Sequence, residues 1–240
     1  MEKKRLIIGD IHGNGDVFKD IYEKESPDEV ILMGDYFDSF TRVPVDQRLS
    51  MEEILRIKDK HDKGQFIILL GNHDFHYLTN VPEKYSGYNN ETATFACHIL
   101  EGEIKKENIQ YIYIDEPNKT IYSHAGITNL WLDYWADGKL ENVNTLKRNA
   151  FLFAGFNIYG EDPRNGPLWV RPNSMISNAY KDKDGVVWNQ IVGHTNVKKV
   201  TEIHEYGANF IITDAFPKQY CVMTLDDNNK MSNFQIKDVE

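Results

Sequence analysis

The sequence predicts an α/β protein in which two β-sheets pack together and helices flank them. Three apolar segments follow one another early in the chain. Each ends in a glycine with polar residues directly behind it, at Gly9, Gly34 and Gly71. Segments of helical length separate these three strands, and after residue 186 the chain changes to short β-like runs at close spacing.

The first half of the chain is expected to form a parallel sheet with helices between its strands. Strands are predicted over residues 6–8, 29–33 and 66–70, and helices over residues 16–24 and 50–63. A polar loop is predicted over residues 39–50. Ser50 with Glu53 three residues later forms a capping-box pattern, so the second helix is expected to begin at Ser50.

The second half of the chain is expected to add helices and a second sheet. Its predicted elements are a helix over residues 91–106, strands over 111–114 and 120–122, helices over 129–138 and 144–154, and a long loop over 155–178. The β-like runs after residue 186 predict a mostly antiparallel second sheet. No linker or change in composition separates the halves, so residues 1–240 are expected to form a single domain.

Charge and hydropathy limit the partners of the chain. The formal net charge of -10 argues against binding to nucleic acid through its phosphates. A phosphorylated substrate stays compatible with this charge, because bound divalent cations would reverse the field locally. No apolar run approaches the roughly 20 residues that span a bilayer, and no signal-peptide core follows the basic N-terminus, so the cytoplasm is the expected location.

Five of the apolar runs are followed immediately by side chains that can bind metal ions. They are Asp10 with His12, Asp35 with Asp38, Asn72 with His73, then His124, and His194. Each cluster alone has an ordinary explanation, such as a turn, a helix cap or a structural histidine. Five clusters at strand ends, most of them beside a glycine that allows close approach of the backbone, favour a shared metal site instead.

The order and spacing of these motifs resemble the calcineurin-like metallophosphoesterases. The similar segments are Gly9-Asp10-Ile11-His12-Gly13, Gly34-Asp35-Tyr36-Phe37-Asp38, Gly71-Asn72-His73-Asp74, His124 and Gly193-His194-Thr195. The resemblance covers nearly the whole chain and implies the metallophosphoesterase fold, a two-layered β-sandwich of mixed sheets flanked by helices. It also implies a dinuclear metal centre in which Asp10, His12 and Asp35 hold one ion and Asp35, Asn72, His124 and His194 hold the other.

The resemblance further implies that His73 is the general acid and that Asp38 orients it. Two cations about 3.5–4 Å apart polarise a phosphoryl group and lower the pKa of a bridging water, which gives a hydroxide that attacks phosphorus. The leaving alkoxide then needs a proton, which an imidazole with a pKa of about 6.5 can give. Oxygen and nitrogen ligands without thiolate suit Mn, Fe or Zn, and of these we expect two Mn ions first.

The last motif is similar to the branch of phosphoprotein phosphatases and dinucleoside tetraphosphatases. Nuclease-like and cyclic-nucleotide-type members carry a second histidine where Asn196 stands. This branch usually has a phosphate-binding arginine where the chain has Ser39, so Arg42 or Arg48 is expected to contact the phosphate instead. Arg171 is either a further phosphate ligand, for which its planar guanidinium is suited, or a surface arginine beside a packed tryptophan.

We therefore expect a phosphoester hydrolase, first of all a phosphomonoesterase of the serine/threonine phosphoprotein phosphatase type. Hydrolysis of dinucleoside polyphosphates is the alternative, with Tyr159, Trp169 and Tyr180 available to stack on bases. A binding module that has lost catalysis would lack a ligand or the acid, and this sequence lacks neither. A nuclease is disfavoured by Asn196 and by the negative charge. The expected partner is a phosphorylated protein or nucleotide, and the oligomeric state is left open.

Overall fold

Two β-sheets form the centre of the structure, a computed structural model that describes residues 2–154 and 161–240. The strands are β1 (Lys3–Ile8), β2 (Glu29–Leu32), β3 (Phe66–Leu69), β4 (Ile109–Gln110), β5 (Ile112–Asp115), β6 (Thr120–Ser123), β7 (Asn189–Val192), β8 (Thr201–Glu205), β9 (Ala208–Ile212), β10 (Gln219–Leu225) and β11 (Met231–Asp238). The α-helices are α1 (Gly15–Glu25), α2 (Pro44–Lys58), α3 (Asn72–Phe75), α4 (Asn90–Lys105), α5 (Asn129–Ala136) and α6 (Pro172–Ser177). No helix of this described part has the length and apolar surface needed to span a bilayer.

The first sheet contains strands from distant parts of the chain, in the order β11-β10-β1-β2-β3-β4. Strands β1 to β4 run parallel to one another, whereas β10 is antiparallel to both β1 and β11. In β1, Ile7 lies opposite Cys221 on one side and Ile31 on the other. The prediction that the last two strands belong to the second sheet is wrong. They extend the first sheet, because β10 covers the edge of β1 that would otherwise be open.

The second sheet has the order β5-β6-β7-β9-β8. Strands β6, β7 and β9 run parallel, and the edge strands β5 and β8 are antiparallel to their neighbours. Both sheets are thus mixed, and the expectation of a mostly antiparallel second sheet is corrected. The predicted fold class, two layered mixed sheets flanked by helices, is confirmed.

The uniformly apolar sequence of β1 follows from burial of both its faces. Ile7 packs in a core between the two sheets, together with Tyr122 and Ile191 of the second sheet. Leu6 and Ile8 point the other way, into the core beneath the helices that contains Phe18 of α1. A strand covered on both sides shows a continuous apolar run rather than alternation.

Helix α2 begins six residues before the start that the capping-box pattern predicts. Pro44 lies in its first turn, where the missing N–H costs nothing, and Val43 before it is extended. Ser50 is therefore inside the helix, where it is buried against α1. A Cβ added at Gly15 of α1 would lie 2.5 Å from the Oγ of Ser50, so this contact between the helices requires glycine.

Two 3₁₀ segments, Leu140–Thr145 and Arg148–Phe151, replace the α-helix predicted over residues 144–154. The side-chain Oδ1 of Asn144 accepts the backbone N–H groups of Tyr111 and Ile112, so this residue binds the neighbouring strand region instead of continuing a helix. The loop predicted over residues 155–178 contains α6, which begins at Pro172. Residues 155–160 of that loop lie outside the described residues.

A buried cation joins the two layers at the far end from the strand-end loops. The guanidinium of Arg5 in β1 donates to Glu29 Oε2 at 2.9 Å and to Asp115 Oδ2 at 2.5 Å. Asp115 ends β5 of the second sheet, so this network links the layers. The buried guanidinium is paired with two carboxylates, and pairing is the condition under which a buried charge is tolerated.

Candidate metal centre

The loops that carry the predicted ligands meet at one edge of the sandwich. Asp10, Asp35 and Asn72 follow β1, β2 and β3, which are neighbouring parallel strands of the first sheet. His124 and His194 follow β6 and β7, which are neighbours in the second sheet. The carboxyl ends of parallel strands in both layers therefore point their side chains into one site.

Four of the predicted site residues have left-handed backbone conformations. The φ angle is 43° at His12, 52° at Asp35, 61° at Asp38 and 62° at His194. Each such conformation costs a residue with a side chain on the order of 1–3 kcal/mol. These residues leave their strands in sharp turns, and strained backbone concentrated at one place is characteristic of a functional site.

Two glycines allow the carboxylates to sit against neighbouring loops. A Cβ added at Gly71 would lie 2.1 Å from Asp35 Oδ1, and one added at Gly193 would lie 2.1 Å from Asp10 Oδ1. Any larger residue would displace these carboxylates. The glycines that end the apolar runs are thus required by the close approach of one strand-end loop to the next.

Side-chain donors from both sheets lie within reach of common ions. Asn72 Oδ1 is 2.8 Å from His124 Nε2 and 2.9 Å from His194 Nδ1. Asp35 Oδ2 is 3.4 Å from His124 Nε2 and 3.9 Å from His12 Nε2. Asp35 therefore lies between the histidine of the first predicted metal site and one histidine of the second.

Backbone carbonyl groups orient two of the imidazoles. His124 Nδ1 lies 2.9 Å from the carbonyl oxygen of Met33, and His12 Nδ1 lies 2.8 Å from that of Phe37. Since a carbonyl oxygen can only accept, each Nδ1 carries the proton. The lone pair of each imidazole is then on Nε2, the atom near Asp35, and this is the tautomer that metal ligation requires.

Burial and neighbouring charges shift the pKa values of the ligand side chains. Burial raises the pKa of Asp10 well above its ordinary value, and the negative charges of Asp214 and Asp35 add to the effect. Burial also lowers the pKa of His124 and lowers that of His194 further. Neutral imidazoles and buried carboxylates are donors that divalent cations accept, so the donor set fits metal ions.

A second polar group surrounds the carboxylate of Asp38. His73 Nδ1 is hydrogen-bonded to Asp38 Oδ2 at 2.8 Å, and His76 Nε2 lies within ion-pair distance of the same oxygen, at 2.7 Å.

The charges around His73 favour its protonated form. Burial opposes protonation, but the negative charges of Asp35 and Asp38 outweigh it and raise the pKa of His73 to about 9. Burial would likewise raise the pKa of Asp38, but the hydrogen bonds from His73, His76 and Tyr77 lower it below its usual range. Together these shifts favour a pair made of a carboxylate and an imidazolium.

Arg171 is the predicted phosphate ligand that reaches this site. It lines the cavity beside Asp10 and Asp35. Its Nη1 donates to the carbonyl oxygen of His194 and to Thr195 Oγ1, both at 3.1 Å. These bonds anchor the guanidinium to the loop that carries a predicted metal ligand.

Arg42 and Arg48 are directed elsewhere. Arg42 Nη2 donates to both carboxylate oxygens of Asp16 at 3.0 and 2.9 Å, and Arg48 Nε donates to Glu52 along α2 at 2.8 Å. Arg42 is not one of the described residues that line the cavity. Ser39 Oγ accepts the backbone N–H of Arg42 at 3.1 Å, so the residue that replaces the usual arginine shapes this loop.

Two carboxylates and two aromatic side chains at the site were not assigned from the sequence. Asp74 is fully buried and accepts backbone N–H groups from Asp35, Gly71 and Tyr36 at 2.8–2.9 Å. Asp214 lines the cavity just after β9, so the strand-end criterion applied to that strand would have found it. His76 and Tyr77 both contact Asp38, and their position just after the His73 motif is the signal in the sequence that could have found them.

A cavity of about 630 Å³ opens over the predicted ligands and His73. Its walls contain five aromatic side chains, Phe40, Tyr85, Phe153, Trp169 and Phe216. Of the aromatic residues proposed for base stacking, Trp169 lines the cavity, whereas Tyr180 packs against Trp188 with ring centres 5.6 Å apart. Tyr159 lies outside the described residues.

A two-layered mixed sandwich with buried oxygen and nitrogen donors at its strand ends fits a metal-dependent enzyme. More particularly, the chain belongs to the family described as calcineurin-like phosphoesterase, whose model matches residues 3–213. Members of this family are phosphoester hydrolases with a dinuclear centre of divalent metal ions. The resemblance found in the sequence is thereby confirmed, and the chain is a metallophosphoesterase.

The relatives differ in the substrates that their names print. The chain is 29% identical over 171 residues to a symmetrical bis(5'-nucleosyl)-tetraphosphatase of Sodalis glossinidius, a match that covers 66% of this chain and only 56% of that relative. Its fold is similar to a cold-active protein-tyrosine phosphatase of a psychrophilic Shewanella (TM-score 0.62, 17% identity, 99% of this chain and 80% of that one). It is also similar to a protein serine/threonine phosphatase from Saccharomyces cerevisiae (TM-score 0.57, 14% identity, 99% and 80%).

Proposed function

We propose that this protein is a phosphomonoesterase of the serine/threonine phosphoprotein phosphatase type, acting in the cytoplasm as one domain over residues 1–240. The observation that carries the proposal is the position of the His73–Asp38 pair. It lies at the wall of the same cavity whose floor holds the buried donors Asp10, Asp35 and Asn72. A proton donor beside a metal site is what hydrolysis of an ester with a poor leaving group requires.

In this proposal Asp10, His12 and Asp35 hold one divalent ion, and Asp35, Asn72, His124 and His194 hold the other. When bound, two such ions polarise a phosphoryl oxygen and lower the pKa of a water molecule. We propose Mn as the native metal, because the donors are carboxylate, amide and imidazole without thiolate, while Fe and Zn accept the same set.

The chain's own residues supply the remaining steps. His73 gives its Nδ1 proton to the bond with Asp38, so its Nε2 is left for the leaving-group oxygen. A protonated His73 carries its second proton on Nε2 and gives it to the leaving-group oxygen as the ester bond breaks. Arg171 binds the non-bridging phosphate oxygens through its planar guanidinium.

A second candidate function is hydrolysis of dinucleoside polyphosphates. The aromatic walls of the cavity favour it, since Tyr85, Phe153 and Trp169 could stack on a base. The relative from Sodalis is named a tetraphosphatase, which supports the same reading. An aromatic wall also accommodates the side chain around a phosphorylated residue, so substrate turnover must distinguish the two.

A substrate screen with Mn²⁺-supplemented protein tests the proposal. The substrates are a phosphoserine peptide, p-nitrophenyl phosphate, bis(p-nitrophenyl) phosphate and diadenosine tetraphosphate. We expect turnover of the first two. Turnover of diadenosine tetraphosphate alone would establish the second candidate, and turnover of the bis-ester alone would contradict the monoesterase. Inactivity on all four with two bound metal ions would favour a binding module.

A further inference from the structure

The carboxylate of Asp38 contacts two side chains in addition to His73, the imidazole that it is proposed to orient. His73 Nδ1 and His76 Nε2 lie 2.8 and 2.7 Å from its Oδ2. The hydroxyl of Tyr77 donates to its Oδ1. Both oxygens of a buried carboxylate are therefore held by side chains, two of which have no assigned role.

A hydrogen bond to Nδ1 determines which nitrogen of a neutral His76 carries the proton. The backbone N–H of Tyr85 donates to His76 Nδ1 at 3.1 Å, so Nδ1 must carry the lone pair and Nε2 the proton. Nε2 lies 2.7 Å from Asp38 Oδ2, so the protonated nitrogen and the carboxylate are within ion-pair distance. The imidazole is fully buried and lies parallel to the Tyr85 ring, with ring centres 5.4 Å apart, so it cannot turn away.

The hydroxyl of Tyr77 is oriented in the same way. It accepts the backbone N–H of Asn89 at 3.1 Å, which leaves its own proton for Asp38. The ring packs edge-on against Phe37, with centres 5.9 Å apart, and stacks on Tyr88 at 5.1 Å. The tyrosine is buried, so its hydroxyl position is set by the packing of the ring.

The other groups that face Asp38 do not compete for its oxygens. Its backbone N–H donates to Gln47 Oε1 at 3.0 Å. Gly87 lies so close that an added Cβ would be 2.9 Å from the Cβ of Asp38. Neither group brings a charge to the carboxylate. The segment around residues 85–89 thus closes over Asp38 and holds the two donors against it.

We propose that His76 and Tyr77 are positioning residues that fix the carboxylate plane of Asp38 and, through it, the imidazole of His73. A carboxylate bound only by His73 could rotate about its χ2 torsion, because the distribution of this angle in aspartate is broad and roughly two-fold. Because Tyr77 binds Oδ1 and two imidazoles contact Oδ2, the carboxylate plane of Asp38 has a single orientation. His73 Nε2 is then aimed at one point in the cavity. This inference rests on the proposed role of His73 as the general acid.

The dependence of kcat on the leaving group distinguishes positioning from a merely structural role. Alkyl phosphates need protonation of the leaving oxygen, whereas 2,4-dinitrophenyl phosphate needs almost none. The test compares kcat of the Mn²⁺-loaded wild type and Tyr77→Phe on this pair, with metal content measured in parallel. Misplacing an acid by about 1 Å can cost about 100-fold. We expect kcat of Tyr77→Phe to fall about 10–100-fold on the alkyl ester and less than about 3-fold on the nitrophenyl ester.

Two further variants sharpen the test. Tyr88→Phe removes a hydroxyl from the ring stacked on Tyr77 and is expected to behave as wild type on both esters. His76→Gln keeps an N–H donor near the position of Nε2 and should retain more alkyl-ester activity than His76→Leu. An equal loss on both esters in Tyr77→Phe would overturn the inference while leaving the proposed function intact.

A spectroscopic measurement on the metal-free protein provides a readout that does not depend on activity. With ¹⁵N-labelled histidine, the Nδ1 resonance of His73 should shift in Tyr77→Phe and stay in place in Tyr88→Phe. An unchanged His73 resonance in Tyr77→Phe would contradict the inference. If the loaded wild type hydrolyses neither ester, the proposed function fails and the inference fails with it.

Discussion

The carboxylate of Asp74 accepts the backbone N–H of Asp35 at 2.8 Å, and so the proposed bridging residue is held from behind by the next strand-end loop. The same carboxylate accepts the backbone N–H of Gly71 at 2.9 Å. Asp74 thus ties together the two loops that carry Asp35 and Asn72. Its position at the start of α3, three residues after Gly71, is that of an acidic capping residue.

Replacing Asp74 with asparagine should weaken metal binding without removing any ligand. An amide offers one acceptor oxygen and brings two N–H groups toward backbone donors, so the loops should separate. Loss of a group that orients metal ligands typically lowers metal affinity about 10–100-fold. Titration of the metal-free variant with Mn²⁺ measures this. An unchanged affinity for Mn²⁺ in a folded Asp74→Asn protein would show that the loops carrying Asp35 and Asn72 keep their positions without this carboxylate.

Asp35→Ala should remove both metal ions, because Asp35 is proposed to contact each of them. His12→Ala is the matched variant, as His12 is assigned to one ion only. We expect close to zero equivalents of metal in the first purified variant and close to one in the second. Metal analysis after desalting measures both. One tightly bound ion in Asp35→Ala would exclude the bridging role.

His73→Ala should lower kcat on an alkyl phosphate about 10²–10⁴-fold, the usual contribution of a general acid. Bound metal should stay near two equivalents, because His73 is bonded to Asp38 and is not proposed as a ligand. Steady-state kinetics with metal analysis test this prediction. His204→Ala, an exposed histidine bonded to Asn209, is the control and should behave as wild type. Loss of metal from His73→Ala would make His73 a ligand.

Arg171→Gln should weaken binding of inorganic phosphate, whereas Arg42→Gln should not. Arg171 lines the cavity, and Arg42 is bonded to Asp16 outside it. Hydrogen bonds to charged groups contribute about 1.5–3 kcal/mol, which corresponds to about 10–150-fold in the inhibition constant of phosphate. Competitive inhibition assays on both variants measure this. A larger effect in Arg42→Gln would mean that its loop moves over the site.

The ligands could be predicted from the sequence because their positions are local features of the chain. An apolar run followed by glycine marks a strand end, and the strand ends of parallel strands converge whatever the remainder of the chain does. The partners of Asp38 were not predictable in this way. His76 and Tyr77 contact it through the packing of α3 and the following loop against the strand-end loop of β2, and no periodicity encodes such a contact.

The errors in the predicted fold have the same origin. The start of α2 was placed at Ser50 because its pattern matched a cap, yet tertiary contact with Gly15 buries that serine inside the helix. The placement of β10 and β11 depends on an edge of β1 that is far away in sequence. Local patterns predicted that these segments are strands but carried no information about which sheet they join.

Glu25 should make the free energy of unfolding depend on pH in the acidic range. Burial would raise its pKa, but bonds from Lys237, Tyr220 and Lys4 lower the pKa below its ordinary value of 4.5. A lowered pKa in the folded state stabilises the protein above the ordinary pKa, and this contribution is lost as the pH falls through the lowered value. Glu25→Gln should reduce the free energy of unfolding at pH 7 by about 1–3 kcal/mol.

Urea unfolding at neutral pH and below pH ~4 measures this contribution, since the difference between wild type and Glu25→Gln should shrink in acid. Glu23→Gln, two residues away on the exposed side of α1, is the control and should change stability by less than about 0.5 kcal/mol. A difference for Glu25→Gln that does not depend on pH would assign the effect to packing rather than to charge.

The pairing of β1 with β10 has a consequence for how the protein acquires its metals. Lys3 lies opposite Leu225 and Ile7 opposite Cys221, so the strand that leads to Asp10 is completed by a segment near the other end of the chain. Contacts of such large sequence separation form slowly. The loops that carry Asp10, Asp35 and Asn72 all precede this partner strand in the chain. We therefore expect the metal centre to be completed late in folding, after β10 has paired with β1.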